Sequence, residues 1–210
     1  MEAPKKINLG SGRDFRKYFI NIDINAYWNP DIVLDFNTPI SSINDREYKC
    51  ERFSTPVLFN EDSYTLIIAN DVLEHMTNLV QVMSNCLFLL KTDGIMDISV
   101  PYELSLGAWR DPTHIRTFNE ESWKYYTDWF WYLGWEKYRF KLKDMNFFFS
   151  DYGRSYYDSS LKDKEAKAVI KEMLRMPRMI DGMNVKLQKV LLSSEDKSIL
   201  EKNSKKLILD

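Results

Sequence analysis

Cysteine and histidine are both scarce in this chain, which has two of each among its 210 residues. The cysteines, Cys50 and Cys86, form no C-x-x-C motif, so a disulfide scaffold is excluded and a reducing, cytoplasmic location is expected. A surplus of one charge is also missing, because 29 Lys and Arg residues stand against 31 Asp and Glu residues. Proteins that bind nucleic acids through phosphates need a basic surplus, so we expect no nucleic-acid partner.

Long apolar runs are absent as well. The longest patches, such as residues 86–90, are far too short to cross a bilayer. The N-terminus, Met-Glu-Ala-Pro-Lys-Lys, leaves no room for a secretory leader before the first β-like run. With 44% hydrophobic and 29% charged residues, the composition is typical of a globular protein rather than a disordered one. We therefore expect one soluble domain over residues 1–210, without a membrane segment.

Short β-like runs alternate with a helical stretch in the first half of the chain. The stretch 72–90 has apolar residues at three- and four-residue spacing, which is typical of a helix. Strands rich in Ile and Val, joined by a crossover helix, predict an α/β fold with a mostly parallel, Rossmann-like sheet flanked by helices. The predicted strands cover residues 5–9, 18–24, 31–36, 64–70 and 95–101.

The second half has a less regular pattern. Residues 120–135 are dense in aromatic side chains and predict a helix, and residues 161–176 predict another that ends before Pro177. Alternating residues over 136–149 and a final run over 184–192 predict strands that form an antiparallel C-terminal edge of the sheet.

Two glycines lie in the turn after the first predicted strand, which reads Asn8-Leu9-Gly10-Ser11-Gly12. Such a turn lets backbone N–H groups approach a ligand at the carboxyl edge of the sheet. Asp23 ends the next predicted strand and can accept hydrogen bonds from the two hydroxyls of a ribose. A tight turn beside a solvated carboxylate gives the same pattern, so the pattern indicates a nucleotide site only together with further motifs.

Further motifs follow in order along residues 5–101, and together they resemble class I S-adenosylmethionine-dependent methyltransferases. The segments NLGSGRD, NIDI and DIVLDF resemble the first three strand motifs of that family. NDVLEH, at residues 70–75, is similar to the "dvLEH" motif of its type 11 branch, and LKTDGI followed by VP is similar to "LKPGG…VP". DPTH, at residues 111–114, recurs in a subset of these enzymes that is often found among cell-surface polysaccharide genes.

The resemblance implies that the chain binds S-adenosylmethionine. The two glycines of the turn would face the methionine part and Asp23 would hold the ribose. Asp35 would accept a hydrogen bond from the adenine amino group, Ile24 and Phe36 would pack beside the ring, and Asn70 would line the cofactor. The implied cofactor-binding residues are Asn8, Leu9, Gly10, Ser11, Gly12, Asp23, Ile24, Asp35, Phe36 and Asn70.

We expect the domain to divide into a cofactor-binding half at 5–101, which the resemblance covers, a substrate-side half with the closing strands at 102–193, and a charged tail at 194–210. The chain departs from the family pattern at three points. Asn8 replaces the acidic residue usual at the start of the motif, and Asp14 stands where a third glycine is common. Only 11 positions separate Asp23 from Leu34, so the crossover helix expected there is missing or reduced to a turn.

Methyl transfer from a sulfonium is an in-line displacement, so the protein must position donor and acceptor and accept a proton when the acceptor is a hydroxyl. Histidine is the natural base near neutral pH. Both histidines lie in the motifs, and His75, His114 and Asp71 are the predicted catalytic residues. Each histidine also has a plain structural interpretation, His75 as a helix-start residue bonded to local backbone and His114 as a loop residue that orders Asp111.

The D-x-x-E-H spacing of Asp71, Glu74 and His75 puts two carboxylates and an imidazole within one helical turn, where they could face a divalent cation. It resembles the E-x-x-E-H metal cluster of quinone and small-RNA methyltransferases, which a further histidine can complete, and His114 could take that part. Type 11 enzymes commonly carry L-E-H without metal, and Asp stands here where the metal-binding kinds have Glu. We therefore predict that the site binds no metal.

The sequence predicts an enzyme that transfers a methyl group to a small molecule or glycan. Oxygen is the expected acceptor atom, because the [DN]-P-P-[YF] signature of amino-methylating nucleic-acid enzymes is absent after Asn70. Two alternatives stay open. One is a cofactor-binding but inactive partner or regulatory module. The other is an NAD-dependent oxidoreductase, which the missing third glycine of G-x-G-x-x-G disfavours. A homodimer is also left open.

Overall fold

Residues 2–207 are described by a computed structural model, and their strands form one mixed seven-stranded sheet. In chain order the strands are β1 Lys6–Leu9, β2 Ile20–Asp23, β3 Ile32–Val33, β4 Tyr64–Asn70, β5 Leu90–Pro101, β6 Tyr138–Phe149 and β7 Ile180–Leu191. Their spatial order is β3-β2-β1-β4-β5-β7-β6. β1 to β5 pair in parallel, whereas β7 runs antiparallel to both β5 and β6. The predicted α/β fold, with a mostly parallel sheet and an antiparallel C-terminal edge, is confirmed.

Helices connect the strands. The α-helices are α1 Leu79–Leu89, α2 Gly107–Arg110, α3 Asp151–Tyr156, α4 Ala166–Met173 and α5 Ser194–Leu207. Short 3-10 helices occur at Ala26–Trp28, Ile40–Ser42, Leu73–His75, Lys124–Tyr126 and Phe130–Leu133, and a π-helical turn at Tyr157–Leu161. No helix in the described part of the chain has the length and apolar character needed to span a membrane.

The central strands are apolar on both faces because helices and loops cover both sides of the sheet. Ile7, Ile20 and Ile22 are fully buried, and their side chains belong to one core cluster that extends to β7. Continuous burial of this kind accounts for the Ile-rich runs, since both faces of a parallel sheet are normally covered. The carboxyl ends of β1, β2 and β4 meet at one edge, which brings the glycine turn, Asp23 and Asn70 to the same side of the sheet.

The connection from β2 to β3 is short, as the sequence predicts. A single 3-10 helix, Ala26–Trp28, stands in place of a crossover helix. The side chain of Asn25 accepts a hydrogen bond from the backbone N–H of Tyr27 at 3.0 Å, and Asn29 ends the turn in the left-handed region at φ 50°. β3 itself has two residues, so the longer strand predicted over 31–36 is wrong in its second half.

The helix predicted over residues 72–90 is wrong in its first part. The chain forms the 3-10 helix Leu73–His75, becomes extended at Met76, and only then begins α1. Asn78 starts α1, because its side-chain oxygen accepts from the backbone N–H of Gln81 at 3.2 Å. The apolar residues at helical spacing therefore belong to two separate elements, which pack on the same core.

The helix predicted over residues 120–135 is wrong as well, because this segment forms two short 3-10 helices. Its aromatic side chains fill separate places: Trp123 stacks on Phe118 with ring centroids 5.4 Å apart, and the indole N–H of Trp135 donates to Ser84 on α1 at 3.0 Å. Aromatic residues lose side-chain freedom in a helix, so packing decides the backbone here.

The helix predicted over residues 161–176 is shorter in the structure, where α4 covers Ala166–Met173 after the π-helical turn. The predicted tail at 194–210 contains α5, and residues 208–210 lie outside the described residues.

Candidate functional site

A cavity of about 670 Å³ lies at the carboxyl edge of the sheet, beyond β1 and β2. We call it the main cleft. Its volume is in the range of pockets that hold cofactor-sized molecules. Seven of the ten predicted cofactor-binding residues line it, namely Leu9, Gly10, Gly12, Asp23, Ile24, Asp35 and Phe36. The other three, Asn8, Ser11 and Asn70, line an adjoining cavity of about 520 Å³ that shares both glycines with the main cleft.

The glycine turn brings backbone to the wall of the main cleft. Gly10 and Gly12 have φ angles of +62° and +45°, in the left-handed region that residues other than glycine rarely adopt. A Cβ on Gly10 would lie 2.2 Å from a methyl group of Val72, whereas a Cβ on Gly12 would meet nothing closer than 4.0 Å. Glycine is thus required at the first position by both conformation and space, and at the second by conformation.

Asp23 is held in place by two backbone amides. Its Oδ2 accepts from the N–H of Gly12 at 2.8 Å, and its Oδ1 accepts from the N–H of Asn25 at 2.8 Å. A carboxylate offers about four acceptor positions, so each oxygen keeps about one for a ligand. The half-buried side chain lines the main cleft, which lets those positions serve a diol.

The residues predicted to surround the adenine ring differ in their exposure and contacts. Asp35 lines the main cleft, and its Oδ1 accepts from both the backbone and the side-chain amide of Asn37, at 2.9 and 2.8 Å. Ile24 is 64% exposed, whereas Phe36 is 1% exposed and its ring packs on Phe59 in the core. Sequence reasoning missed Trp28, which lines both the main cleft and its neighbour from the short β2–β3 connection.

Asn8, which replaces the usual acidic residue, is 2% exposed and holds the loop that follows it. Its side-chain N–H groups donate to the carbonyl of Asp14 at 2.6 Å and to Oδ1 of Asn21 at 3.0 Å. Asn21 in turn donates to Asp31, which forms an ion pair with Arg52. Burial raises the pKa of Asp31, but hydrogen bonds from Arg52 and Asn21 outweigh it and hold the pKa below its ordinary value.

A third cavity, of about 690 Å³, also adjoins the main cleft. We call it the acidic cleft, because three carboxylates line it against the single guanidinium of Arg110. All three predicted catalytic residues, Asp71, His75 and His114, line this cleft. Asp71 and His75 also line the main cleft, so the two cavities meet at these side chains. The complete lining is Asp71, Glu74, His75, Pro101, Gly107, Arg110, Asp111, Pro112 and His114.

Asp71 directly follows β4 and has a φ angle of +47°, which is rare for a residue other than glycine. Its backbone N–H donates to Ser99 on β5 at 2.9 Å, which fixes this conformation at the end of the sheet. Backbone strain of this kind clusters at functional sites.

Glu74, which is not among the predicted catalytic residues and appears in the sequence only as a possible cation ligand, is 1% exposed. Neither of its carboxylate oxygens has a hydrogen-bond partner from another described residue. The imidazole Nε2 of His114 is 3.9 Å from Oε1 of Glu74. Burial raises the pKa of Glu74 to about 7, and the negative charge of Asp71 contributes to the rise. The D-x-x-E-H spacing drew attention to this residue, but its burial follows from the tertiary fold.

The DPTH segment positions both histidines. Oδ1 of Asp111 accepts from the backbone N–H and the hydroxyl of Thr113, at 2.8 and 2.7 Å. Nδ1 of His75 lies 3.0 Å from that hydroxyl and 3.3 Å from the Thr113 carbonyl, and Nδ1 of His114 lies 2.9 Å from the carbonyl of Ala108. The two imidazole rings are 4.7 Å apart. The segment therefore serves as a loop that orders the histidine pair beside Glu74.

No family model matches the chain, and no curated protein matches it in sequence. Solved structures do match. A SAM-dependent methyltransferase from Archaeoglobus fulgidus superposes with a TM-score of 0.57 at 15% identity, over 89% of this chain and 86% of its own. A chain of the Haloferax volcanii complex that contains the Trm112 methyltransferase activator gives 0.51 at 12% identity, over 92% and 85%. The [4+2]-cyclase SpnF gives 0.51 at 11% identity, over 91% and 78%.

These likenesses define the fold. The chain has the Rossmann-like fold of class I SAM-dependent methyltransferases. A cyclase shares that fold, so the fold leaves the reaction open, and only the residues of the site indicate a reaction.

Proposed function

We propose that this protein is an S-adenosylmethionine-dependent methyltransferase that acts on an oxygen atom of a small molecule or glycan. The observation that carries the proposal is the position of Asp23. Its carboxylate is fixed by the amides of Gly12 and Asn25 at the wall of the main cleft, with one acceptor position left on each oxygen. That arrangement suits the two hydroxyls of a ribose.

The main cleft fits a nucleoside cofactor in further respects. The backbone at Gly10 and Gly12 lines the cavity directly, and Val72 packs against Gly10 so closely that a Cβ there would clash with it. Asp35 presents a carboxylate to the same cavity. S-adenosylmethionine, when bound, supplies a methyl group activated by its sulfonium. The residues of the chain would hold it and exclude water while an acceptor approaches.

The acidic cleft is the place for the acceptor, because it meets the main cleft at Asp71 and His75. Attack by a hydroxyl oxygen forms a C–O bond to the methyl carbon, and the C–S bond breaks with its electron pair moving to sulfur. The hydroxyl proton needs an acceptor, and an imidazole nitrogen of His75 or His114 lies in this cleft to take it. Asp71 would orient the acceptor through its carboxylate.

Calorimetric titration with S-adenosylmethionine, S-adenosylhomocysteine and NAD, run in parallel, tests the cofactor. We expect binding of both sulfur compounds in the micromolar range and none of NAD. Binding of NAD alone would favour the oxidoreductase, and no binding of either sulfur compound would refute the proposal.

A second experiment separates the enzyme from an inactive module. Transfer of the labelled methyl group from S-adenosylmethionine to hydroxylated small molecules and oligosaccharides is measured with the intact protein and with His114→Ala. We expect turnover that falls in the variant while cofactor affinity stays within about twofold, since His114 lines only the acidic cleft. Retained cofactor binding without turnover on any acceptor would support the inactive module instead.

A further inference from the structure

Glu74 is a buried carboxylate that accepts no hydrogen bond from another described residue. It is 1% exposed, and within the described part of the chain no other residue donates a hydrogen bond to either of its oxygens. Buried carboxylates in folded proteins are normally paired with a cation, protonated, or bound to a metal. Among the described residues no Lys or Arg forms an ion pair with Glu74, and the one basic group within 4 Å is the imidazole of His114, at 3.9 Å. The carboxylate is therefore either protonated or held by a bound cation.

The two histidines present ring nitrogens to the same place. A carbonyl oxygen can only accept, so Nδ1 of His114 carries the proton that it donates to Ala108, and in the neutral ring Nε2 keeps a free lone pair. Nδ1 of His75 is likewise engaged by Thr113, which leaves Nε2 of that ring free. Ligating histidines are commonly held in this way, with the second nitrogen bonded to a carbonyl or hydroxyl.

We propose that Glu74, His75 and His114 bind a divalent transition-metal ion on the wall of the acidic cleft. Their ligand atoms lie within 4.8 Å of one another. Ligands about 2.1 Å from a common ion are about 3 to 3.5 Å apart, so side-chain movements of about 1 Å close the set on an ion. Two imidazoles and one carboxylate suit zinc, manganese, iron or cobalt, whereas magnesium and calcium prefer oxygen ligands throughout.

The surroundings favour a cation. Asp71 and Asp111 line the same cleft, and their carboxylates outnumber the guanidinium of Arg110. Three protein ligands leave coordination positions open, as catalytic metal sites do. The assignment departs from the sequence-based expectation of no metal, because the D-x-x-E-H spacing does not disclose that Glu74 is buried and unpaired. It does not depend on the proposed methyl transfer.

The first test uses the unaltered protein. Its two histidines are the only ones in the sequence, so a long-range proton–nitrogen NMR spectrum contains two imidazole spin systems. The protein is stripped with a chelator and titrated with zinc. We expect both Nε2 signals to shift until one equivalent is bound, while both Nδ1 signals keep the protonated form. If neither imidazole responds to zinc, the proposal is wrong.

The second test uses cobalt, whose visible absorption reports coordination, with three variants. Glu74→Gln and His114→Ala each remove a ligand and are expected to weaken cobalt binding at least about tenfold, the loss typical of altering even the outer shell of a metal site. Asp45→Asn is the matched control. It removes one exposed negative charge at a position that lines neither cleft, so we expect a change of less than about threefold.

Equal weakening in all three variants would mean that cobalt binding follows the overall charge of the protein rather than coordination in the cleft, and unaltered binding in Glu74→Gln and His114→Ala would place the ion elsewhere. Either result would overturn the assignment. Affinity for S-adenosylhomocysteine, measured on the same samples, reports whether the variants fold and whether the main cleft binds its cofactor. A failure of the proposed methyl transfer is therefore distinguishable from a failure of the metal site.

Discussion

Replacing Asp23 with alanine is the most direct test of the main cleft. In the structure each carboxylate oxygen already accepts one backbone amide, from Gly12 and Asn25 at 2.8 Å, and keeps about one further position. Two hydrogen bonds to a ribose would be lost, each to a charged acceptor. Such bonds contribute about 1.5–3 kcal/mol each, and allowing for water that replaces the side chain we expect a loss of about 2–4 kcal/mol. The dissociation constant should then rise roughly 30- to 1,000-fold.

Two companion variants make the result specific. Asp23→Asn keeps one acceptor oxygen and should fall between the alanine variant and the unaltered protein. Asp45→Ala removes the same charge at an exposed position that lines neither cleft, and should change the affinity by less than about twofold.

Calorimetry with S-adenosylhomocysteine measures all three affinities, because this compound carries the same ribose and cannot react. Urea unfolding is needed beside it, since the alanine variant also releases the amides of Gly12 and Asn25 and should lose about 1–2 kcal/mol of stability. An alanine variant that folds and binds as tightly as the unaltered protein would show that Asp23 does not contact the cofactor, and the assignment of the main cleft would lose its main support.

Two further predictions concern stability. Gly10→Ala should lower the free energy of unfolding by about 2–5 kcal/mol, from left-handed strain and the clash with the neighbouring valine, whereas Gly12→Ala should cost about 1–2 kcal/mol from strain alone. Equal losses in urea unfolding would contradict this difference. Because the folded pKa of Asp31 is lowered, its contribution is complete above the ordinary carboxyl pKa of about 4 and is lost as pH falls through the lowered value. Below pH about 4 the free energy of unfolding should therefore fall less in Arg52→Met than in the unaltered protein. An identical fall in the two proteins would disprove the role of this pair.

The sequence predicts the first half of the fold well because its signals there are local. β1, β2 and β4 are short runs with buried apolar residues, each followed by a glycine turn or ending at or just before an aspartate, and their parallel pairing follows from burial on both faces. The short connection after Asp23 is predictable, because too few residues separate it from the next strand to form a crossover helix. The glycine turn was recognisable because Gly10 and Gly12 need backbone angles that other residues avoid.

The second half was predicted less well because tertiary packing decides its backbone. The aromatic residues of 120–135 fill separate core positions and break the segment into two turns, which no helical spacing discloses. The strand order is another example: β7 inserts between β5 and β6, although β6 comes first in the chain. The burial of Glu74 also depends on tertiary packing, because a loop forty residues later brings Nε2 of His114 to 3.9 Å from its carboxylate.

The two clefts share one wall and differ in the others. The ends of β1 and β2 line only the main cleft and residues of the 107–112 segment line only the acidic cleft, whereas the turn after β4 lines both. Asp71 and His75 link the clefts, since each belongs to both, and Asp71 is held in a left-handed conformation by β5. If the acidic cleft binds an ion, the histidines are its ligands and the ion would supply the activation of an acceptor hydroxyl. If it does not, the same imidazoles are available to accept the proton, so the metal titration decides which of the two proposed roles the histidines have.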